Sequence, residues 1–203
     1  MSYRGKRALD VVVASAVLVV TAPALAVAAV LIRLESHGHP IYRQRRVGRD
    51  GAPFELYKLR TMVAGAESIG PGLALAEGDA RITRLGSLLR RTSMDELPNL
   101  VNVLRGEMSL VGPRPTVQVQ VDRYTPRQRG RLSVPPGLTG WAQIQGRASL
   151  PWGERIELDL WYVEHASLRL DLRILWRTVR MVLGGDGLYK GETGGWQEPP
   201  ASA

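Results

Sequence analysis

Between Val11 and Ile32 the chain carries no charged residue, and the wider stretch 8–32 reads ALDVVVASAVLVVTAPALAVAAVLI. A helix of about 20 apolar residues crosses the hydrocarbon core of a bilayer, so this stretch constrains the rest of the fold. Arg4, Lys6 and Arg7 precede it, and Arg33, Arg43, Arg45, Arg46 and Arg49 follow. Cations favour the cytoplasmic side, and a straight crossing cannot leave both flanks there. Pro23, after Thr21 and Ala22, sits near the middle, where a proline removes one helical hydrogen bond and bends the axis. The sequence thus predicts a re-entrant helix-break-helix with Pro23 at the break, both ends on the cytoplasmic face. A single-pass anchor with a proline kink fits the same residues. A secretory signal fits less well, because its apolar core is shorter and a strongly basic segment would have to be exported.

The 203 residues suit one domain, and the net charge of +8 points to an acidic partner: nucleic acid, an anionic membrane or phosphorylated substrates. The absence of cysteine excludes disulfides, a thiol nucleophile and Cys-type zinc sites. With only His37, His39 and His165 as histidines, a hydrolase triad has little support.

Residues 90–115, RRTSMDELPNLVNVLRGEMSLVGPRP, carry the chemistry. Ser93-x-x-Glu96 reads as a capping box, Leu97, Leu100, Val101 and Leu104 follow at helical spacing, and Gly106 is placed to end the helix. Asp95 and Glu96 then fall in a first helical turn, where the helix end favours ionised carboxylates and free amides offer a seat for phosphate oxygens. The plainer alternative makes them cap residues only, which accounts for Glu96 but leaves Asp95 unassigned. Arg114 follows between Pro113 and Pro115, a guanidinium on a stiff loop suited to gripping phosphate through two hydrogen bonds. An arginine in an ordinary surface turn is the alternative.

The runs Thr83-Arg84-Leu85-Gly86, Leu89-Arg90-Arg91, Asp95-Glu96-Leu97-Pro98 and Met108-Ser109-Leu110-Val111-Gly112-Pro113-Arg114-Pro115 resemble the bacterial sugar transferase family, the monotopic phosphoglycosyl transferases that start membrane-linked glycan assembly. The likeness extends from Lys6 to about Leu183. It implies the same re-entrant geometry, although Ala22 stands where family members often carry serine; Thr21 is one candidate to satisfy the carbonyl that Pro23 leaves free. It also implies that Lys58, in Tyr57-Lys58-Leu59-Arg60-Thr61-Met62, faces phosphate. Residues 134–143, VPPGLTGWAQ, match a further motif and read as a shaped loop. There Trp141 is a stacking candidate for a base or sugar, or a packing anchor, and Gln143 a nucleotide-sugar contact. Asp159, in Glu157-Leu158-Asp159, is a candidate to orient Arg114 or Lys58, or else a solvated helix acid.

The remaining segments are coarser. Residues 41–62 read as a basic hairpin turning at Asp50-Gly51, with Arg43, Arg45 and Arg46 available to headgroups. Residues 63–78 read as loop. Residues 81–91 read as a helix that presents Arg84 and Arg91 to headgroups or to the phosphates in the site. Residues 116–132 read as helical with a break at Pro126. Residues 168–183 form the clearest amphipathic helix, with Arg169, Arg173, Arg177 and Arg180 opposite Leu172, Leu175, Trp176, Val179 and Leu183. The expected fold is mostly α with a small β-hairpin, a monotopic membrane protein with interfacial helices. Its expected organisation is a membrane segment with its flanks (1–39), a catalytic region of the same domain (40–183) and a flexible tail (184–203).

Residues and resemblance together point to transfer of a phosphosugar from a UDP-sugar to polyprenyl (undecaprenyl) phosphate, with release of UMP. Asp95 is the expected nucleophile, Glu96 a ligand of Mg2+, and Arg114, Lys58 and Arg91 the phosphate contacts. The expected site is the cytoplasmic face of the inner membrane, with no nucleic acid partner; a homodimer is compatible with the sequence but not indicated by it. The competing class is a non-enzymatic, membrane-anchored basic protein that binds anionic lipid or nucleic acid. That class gives no reason for Asp95-Glu96 beside Arg114.

Overall fold

The computed structural model describes residues 3–66, 79–146 and 150–184. Helix α1 (Lys6–Glu35) takes up the apolar stretch as one helix of 30 residues with Pro23 inside it. At 1.5 Å per residue it is about 45 Å long, and by length and composition it is apolar enough to cross a membrane. The expected break is therefore not a gap between two helices. Pro23 removes a single N–H, the partner of the Val19 carbonyl, and the helix continues on both sides. Thr21 does not replace that donor, since its hydroxyl donates to the Val17 carbonyl 2.7 Å away.

Burial on α1 is concentrated toward its two ends. Lys6, Asp10 and Ala14 are covered at one and Ala28 and Ile32 at the other, whereas Val19, Val20 and Val27, on either side of Pro23, are 75%, 78% and 60% exposed. The first half joins the main core, in which Ala14 clusters with Leu56, Leu100, Val103, Leu110 and Ile174. The second half joins a separate cluster with Leu59 and Leu89.

The hairpin forms as expected. Strands β1 (Ile41–Val47) and β2 (Pro53–Leu59) pair antiparallel, with Ile41 opposite Leu59 and Val47 opposite Pro53. Asp50 and Gly51 make the turn at φ 55° and 83°, values that suit an Asp-Gly pair. Helix α2 (Arg84–Arg91) is capped by Thr83, whose hydroxyl accepts from the Gly86 amide at 2.9 Å. Helix α3 (Asn99–Arg105) docks on the hairpin through Asn102, which donates to the Glu55 carbonyl and accepts from the Tyr57 amide. Gly106 ends α3 at φ 84°, as its position predicted.

Strand β3 (Ser109–Val111) runs parallel to β4 (Gly137–Thr139), within the stretch read from sequence as a loop. Residues 116–132 yield only the short α4 (Gln118–Val121) and, beyond Pro126, a 3-10 turn, Gln128–Ser133. Helices α5 (Trp141–Gly146), α6 (Trp152–His165) and α7 (Leu168–Gly184) follow. Helix α7 turns Asp171 and Ile174 inward and leaves Leu172, Trp176, Val179 and Leu183 at least half exposed, an outward apolar stripe next to its arginines. Most of the expected 63–78 loop, and the tail beyond Gly184, lie outside the described residues.

A buried polar network ties the start of α1 to the strand that feeds the candidate site. Lys6 Nζ pairs with Asp171 at 2.6 Å and donates to the Val111 carbonyl at 3.0 Å. Asp10 Oδ1 accepts from Ser109 Oγ and from the Leu110 amide, both at 3.0 Å. Arg7 Nη2 donates to the Leu104 carbonyl at 2.7 Å, near the C-terminus of α3. Lys6 and Arg7, read from sequence as a charged membrane flank, thus hold protein groups, because the helix start lies against the body.

Candidate active site

Asp95 and Glu96 occupy a 3-10 turn, Met94–Glu96, that precedes α3, rather than the first turn of that helix. The expected capping box does not form: Ser93 is left-handed at φ 55° and its side chain caps nothing. Two causes are visible. Pro98 has no N–H with which to continue an α-helix through this stretch, and tertiary partners draw the Glu96 side chain away. Its Oε1 accepts from Lys58 Nζ at 2.6 Å and from Arg114 Nη2 at 2.9 Å. The four residues picked from sequence lie together in the structure, but the local motif expected for them does not form.

The two acids are in opposite states. Burial acts to raise the Glu96 pKa, but Lys58 and Arg114 outweigh it and hold the carboxyl well below the usual carboxylate range. Asp95 is buried, and no hydrogen bond or ion pair engages its carboxylate among the described residues. Burial, reinforced by the Glu96 charge, pushes Asp95 up to about 6 against the pull of Lys58, Arg90 and Arg114. One acid is committed to cations; the other is left free between them.

Each partner is positioned by a separate element. Lys58 projects from β2. Arg114 stands in the loop after β3, and that loop is fixed by backbone bonds: Gly112 N donates to the Thr139 carbonyl at 2.9 Å, and Gly137 N to the Pro113 carbonyl at 2.8 Å. A Cβ on Gly112 would lie 2.5 Å from the Pro135 carbonyl oxygen, so this close approach requires glycine. Beneath the loop, the guanidinium of Arg131 donates to the Arg114 carbonyl at 3.0 Å, to the Tyr124 hydroxyl and to the Asp159 carboxylate. Asp159 meets neither Arg114 nor Lys58 directly; Arg131 stands between. Burial raises the Asp159 pKa and Arg131 opposes the rise, while for Arg131 burial is outweighed by Asp159 and Tyr124, so its own pKa is raised.

The other expected residues are placed as follows. Arg91 is exposed and no described contact joins it to the acids, whereas Arg90 donates Nε to Thr61 Oγ1 at 2.7 Å and its charge bears on Asp95. Trp141 stacks on Trp161 at 4.9 Å, which in turn stacks on His165 at 4.4 Å, so the indole packs against protein. Both polar atoms of the Gln143 amide are buried without a partner, an arrangement that calls for a ligand or water. From sequence, Arg46 was read only as a headgroup contact and Arg90 only as part of the Leu89-Arg90-Arg91 run, and Arg131 was not singled out. Their partners lie far along the chain, and no local spacing marks them.

For a divalent cation, the described residues contain no group of three or more ligating side chains. Magnesium, however, commonly takes one or two protein carboxylates together with substrate phosphates. Glu96 Oε2 and the Asp95 carboxylate, neither engaged by a described partner, fit that requirement.

One unbonded and one neutralised acid beside a lysine and an arginine is an arrangement suited to phosphoryl chemistry. Comparison with known proteins agrees. The model of the bacterial sugar transferase family matches residues 1–185, and the chain belongs to that family. It is 43% identical over 185 residues to the uncharacterised sugar transferase EpsL of Bacillus subtilis (strain 168), covering 91% of this chain and 90% of that one. It is 47% identical over 193 residues to the UDP-glucose:undecaprenyl-phosphate glucose-1-phosphate transferase of Caulobacter vibrioides, covering 91% of this chain and 72% of the relative. A protein of the same description from Escherichia coli (strain K12) is 41% identical over 182 residues, but the match spans 86% of this chain and only 39% of that relative. The chain is a phosphoglycosyl transferase, and the non-enzymatic reading left open by composition is set aside.

Proposed function

We propose that the chain transfers a phosphosugar from a UDP-sugar to undecaprenyl phosphate through a covalent intermediate on Asp95, as the first membrane step of glycan assembly. An Asp95 oxygen attacks the sugar-proximal phosphorus. The bond from that phosphorus to the bridging oxygen breaks, and UMP departs with the electron pair. An oxygen of the lipid phosphate then attacks the same phosphorus, the P–O bond to Asp95 breaks, and the products are undecaprenyl-diphosphate-sugar and free carboxylate. Splitting one hard displacement into two is the usual benefit of an aspartyl phosphate. Lys58 and Arg114 turn from Glu96 toward the phosphate oxygens as charge gathers there. Glu96, through the oxygen that Lys58 and Arg114 leave open, would hold a magnesium ion together with the substrate phosphates. When bound, that ion neutralises phosphate charge.

The observation that carries this reading is the asymmetry of the pair: Glu96 takes both cations while Asp95, beside them, has no bonded partner among the described residues. The relatives' names supply the substrates. For the membrane arrangement, the support is that both ends of α1 are held by one body while the apolar residues around Pro23 stand exposed. A helix with both feet on the same body enters and leaves the membrane on one face, which we assign to the cytoplasmic face of the inner membrane from the basic flanks.

The test is single-turnover labelling. Enzyme given UDP-sugar labelled in the sugar, without acceptor, is expected to acquire label, and undecaprenyl phosphate is expected to discharge it. Asp95→Asn should abolish labelling. Label found on another residue, or UMP release that strictly requires acceptor, rules out the Asp95 intermediate.

A further inference from the structure

The proposed donor carries two phosphates, yet Lys58 and Arg114 both converge on the single carboxylate of Glu96. A further cation stands beside them. Arg46, near the end of β1, directs Nε and Nη2 to Gln44 Oε1 at 3.0 and 2.5 Å, and Nη1 to the Pro115 carbonyl at 3.3 Å, next to Arg114 in the chain. Both acceptors are neutral. Arg46 is half-buried and, like Arg60 and Arg90 among the described residues, has no carboxylate within salt-bridge distance, but it alone of the three stands beside Arg114. Burial and the Arg114 charge push its pKa down to about 10. The Arg114 charge repels Arg46, and Glu96, which pairs with Arg114 and not with Arg46, offsets only part of that repulsion, so a further anion that bridges the two guanidinium groups is favoured. A phosphate fits that place, because the guanidinium fork matches its oxygens.

The fold distinguishes the nucleotide's phosphate from the lipid's. Ile41 and Leu59, paired at the open end of the hairpin, pack with Ala28 and Ile32 of α1, whereas Arg46 stands toward the turn end, where the next residue, Val47, packs with Val121, Tyr124, Ile156 and Leu160. On the other side of the acids, Arg90 belongs to α2, whose Leu89 packs with Ala28 and Ile32 of α1. Arg46 thus lies at the hairpin end away from the Ala28–Ile32 half of the apolar helix, and Arg90 on the element that packs against that half. A lipid phosphate arrives along the apolar helix, and a water-soluble nucleotide from the opposite flank.

We infer that Arg46, together with Arg114, binds the phosphate of the departing nucleoside monophosphate. The inference rests on the reaction proposed above and assigns the side of the scissile bond on which the nucleotide lies. Loss of Arg46 then weakens nucleotide binding and leaves the lipid phosphate untouched.

The test is direct binding of UMP and of uridine to the full chain in detergent, by titration calorimetry, for wild type, Arg46→Gln and Arg46→Lys, with KM measured for UDP-sugar and for undecaprenyl phosphate. Removing a charge-assisted contact to phosphate is expected to weaken UMP about 10- to 100-fold. The KM for UDP-sugar should rise by a similar factor, the KM for undecaprenyl phosphate should stay within about twofold, and uridine should bind all three proteins alike. Arg46→Lys, which keeps the charge but loses the fork, should fall between; should the glutamine variant not fold, the ratio of UMP to uridine affinity in the lysine variant decides. Unchanged UMP affinity, an equal loss for uridine, or a change confined to the lipid KM overturns the inference while leaving the reaction intact. A wild type that neither binds nor releases UMP overturns both.

Discussion

Asp159→Asn is the substitution that most directly tests how the site is held. The Asp159 and Arg131 side chains are 3% and 7% exposed, so the pair is a buried one. Removing one partner of such a pair costs about 3–5 kcal/mol, because the other charge stays buried without compensation. Asparagine keeps the shape and one acceptor but puts an amide nitrogen where the structure offers little: Asp159 Oδ1 already has no partner. At about 2–4 °C per kcal/mol for a chain of this size, melting should fall by about 6–20 °C. Function should suffer more than stability alone accounts for, since Arg131 also holds the Arg114 carbonyl at 3.0 Å. Tryptophan fluorescence during heating reads the first effect and UMP release at 20 °C, well below either melt, reads the second. The paired variant Arg131→Met with Asp159→Leu separates them. It leaves no buried charge and should recover most of the melting temperature, while the Arg114 carbonyl still lacks its donor and activity stays low. A single Asp159→Asn melt within about 2 °C of wild type, or recovery of activity in the paired variant, would show that the ion pair does not support Arg114.

Two further outcomes follow from the same geometry. With its pKa raised to about 6, Asp95 is protonated and loses its nucleophilic charge as pH falls, so formation of the labelled intermediate should drop about tenfold per pH unit below that value and level off above pH 7; a rate flat between pH 5 and 7 refutes the shift. The chain has no cysteine, so single cysteines placed at Ser2 and at His37 report topology cleanly: both should react with an impermeant reagent only from the cytoplasmic side, and reaction of the Ser2 position from the periplasm means that α1 crosses the membrane.

Features written in short-range spacing were legible in the sequence. The Asp50-Gly51 turn, the Gly106 stop and the arginine and apolar faces of α7 each follow from residues within a few positions of one another. Asp95, Glu96 and Arg114 stood out by residue type and position, Lys58 only through motif resemblance, and the structure brings them within reach of one another. What failed did so where distant partners override a local preference. Ser93-x-x-Glu96 has the composition of a capping box, but two cations from β2 and from the loop after β3 compete for the glutamate and win. Lys6 looked like a membrane flank because nothing near it in sequence announces Asp171, 165 residues away. The β3–β4 pair is made of three-residue strands, too short for alternation to show. Arg90 and Arg91 are adjacent, and only the docking of α2 decides which one lies near the acids.

The division of labour between Asp95 and Glu96 follows from the turn they share. In a 3-10 turn there are three residues per turn, so neighbouring side chains diverge by about 120 degrees. Glu96 can then bond to Lys58 and Arg114 while Asp95, within the field of Lys58, Arg90 and Arg114, bonds to none of them among the described residues. If both cations sat on Asp95, an incoming phosphate would have to displace them from the nucleophile before attack. Seated on the neighbour instead, they are held within reach of the phosphate, and their release to it leaves Glu96 as the group that gives up charge compensation. That exchange is favourable only if the arriving phosphates bring more negative charge than Glu96 holds, which a nucleoside diphosphate does. In the proposed reaction the resting pairs on Glu96 thus act as a stand-in for substrate: they keep Lys58 and Arg114 ordered before the donor arrives and leave Asp95 free to react with it.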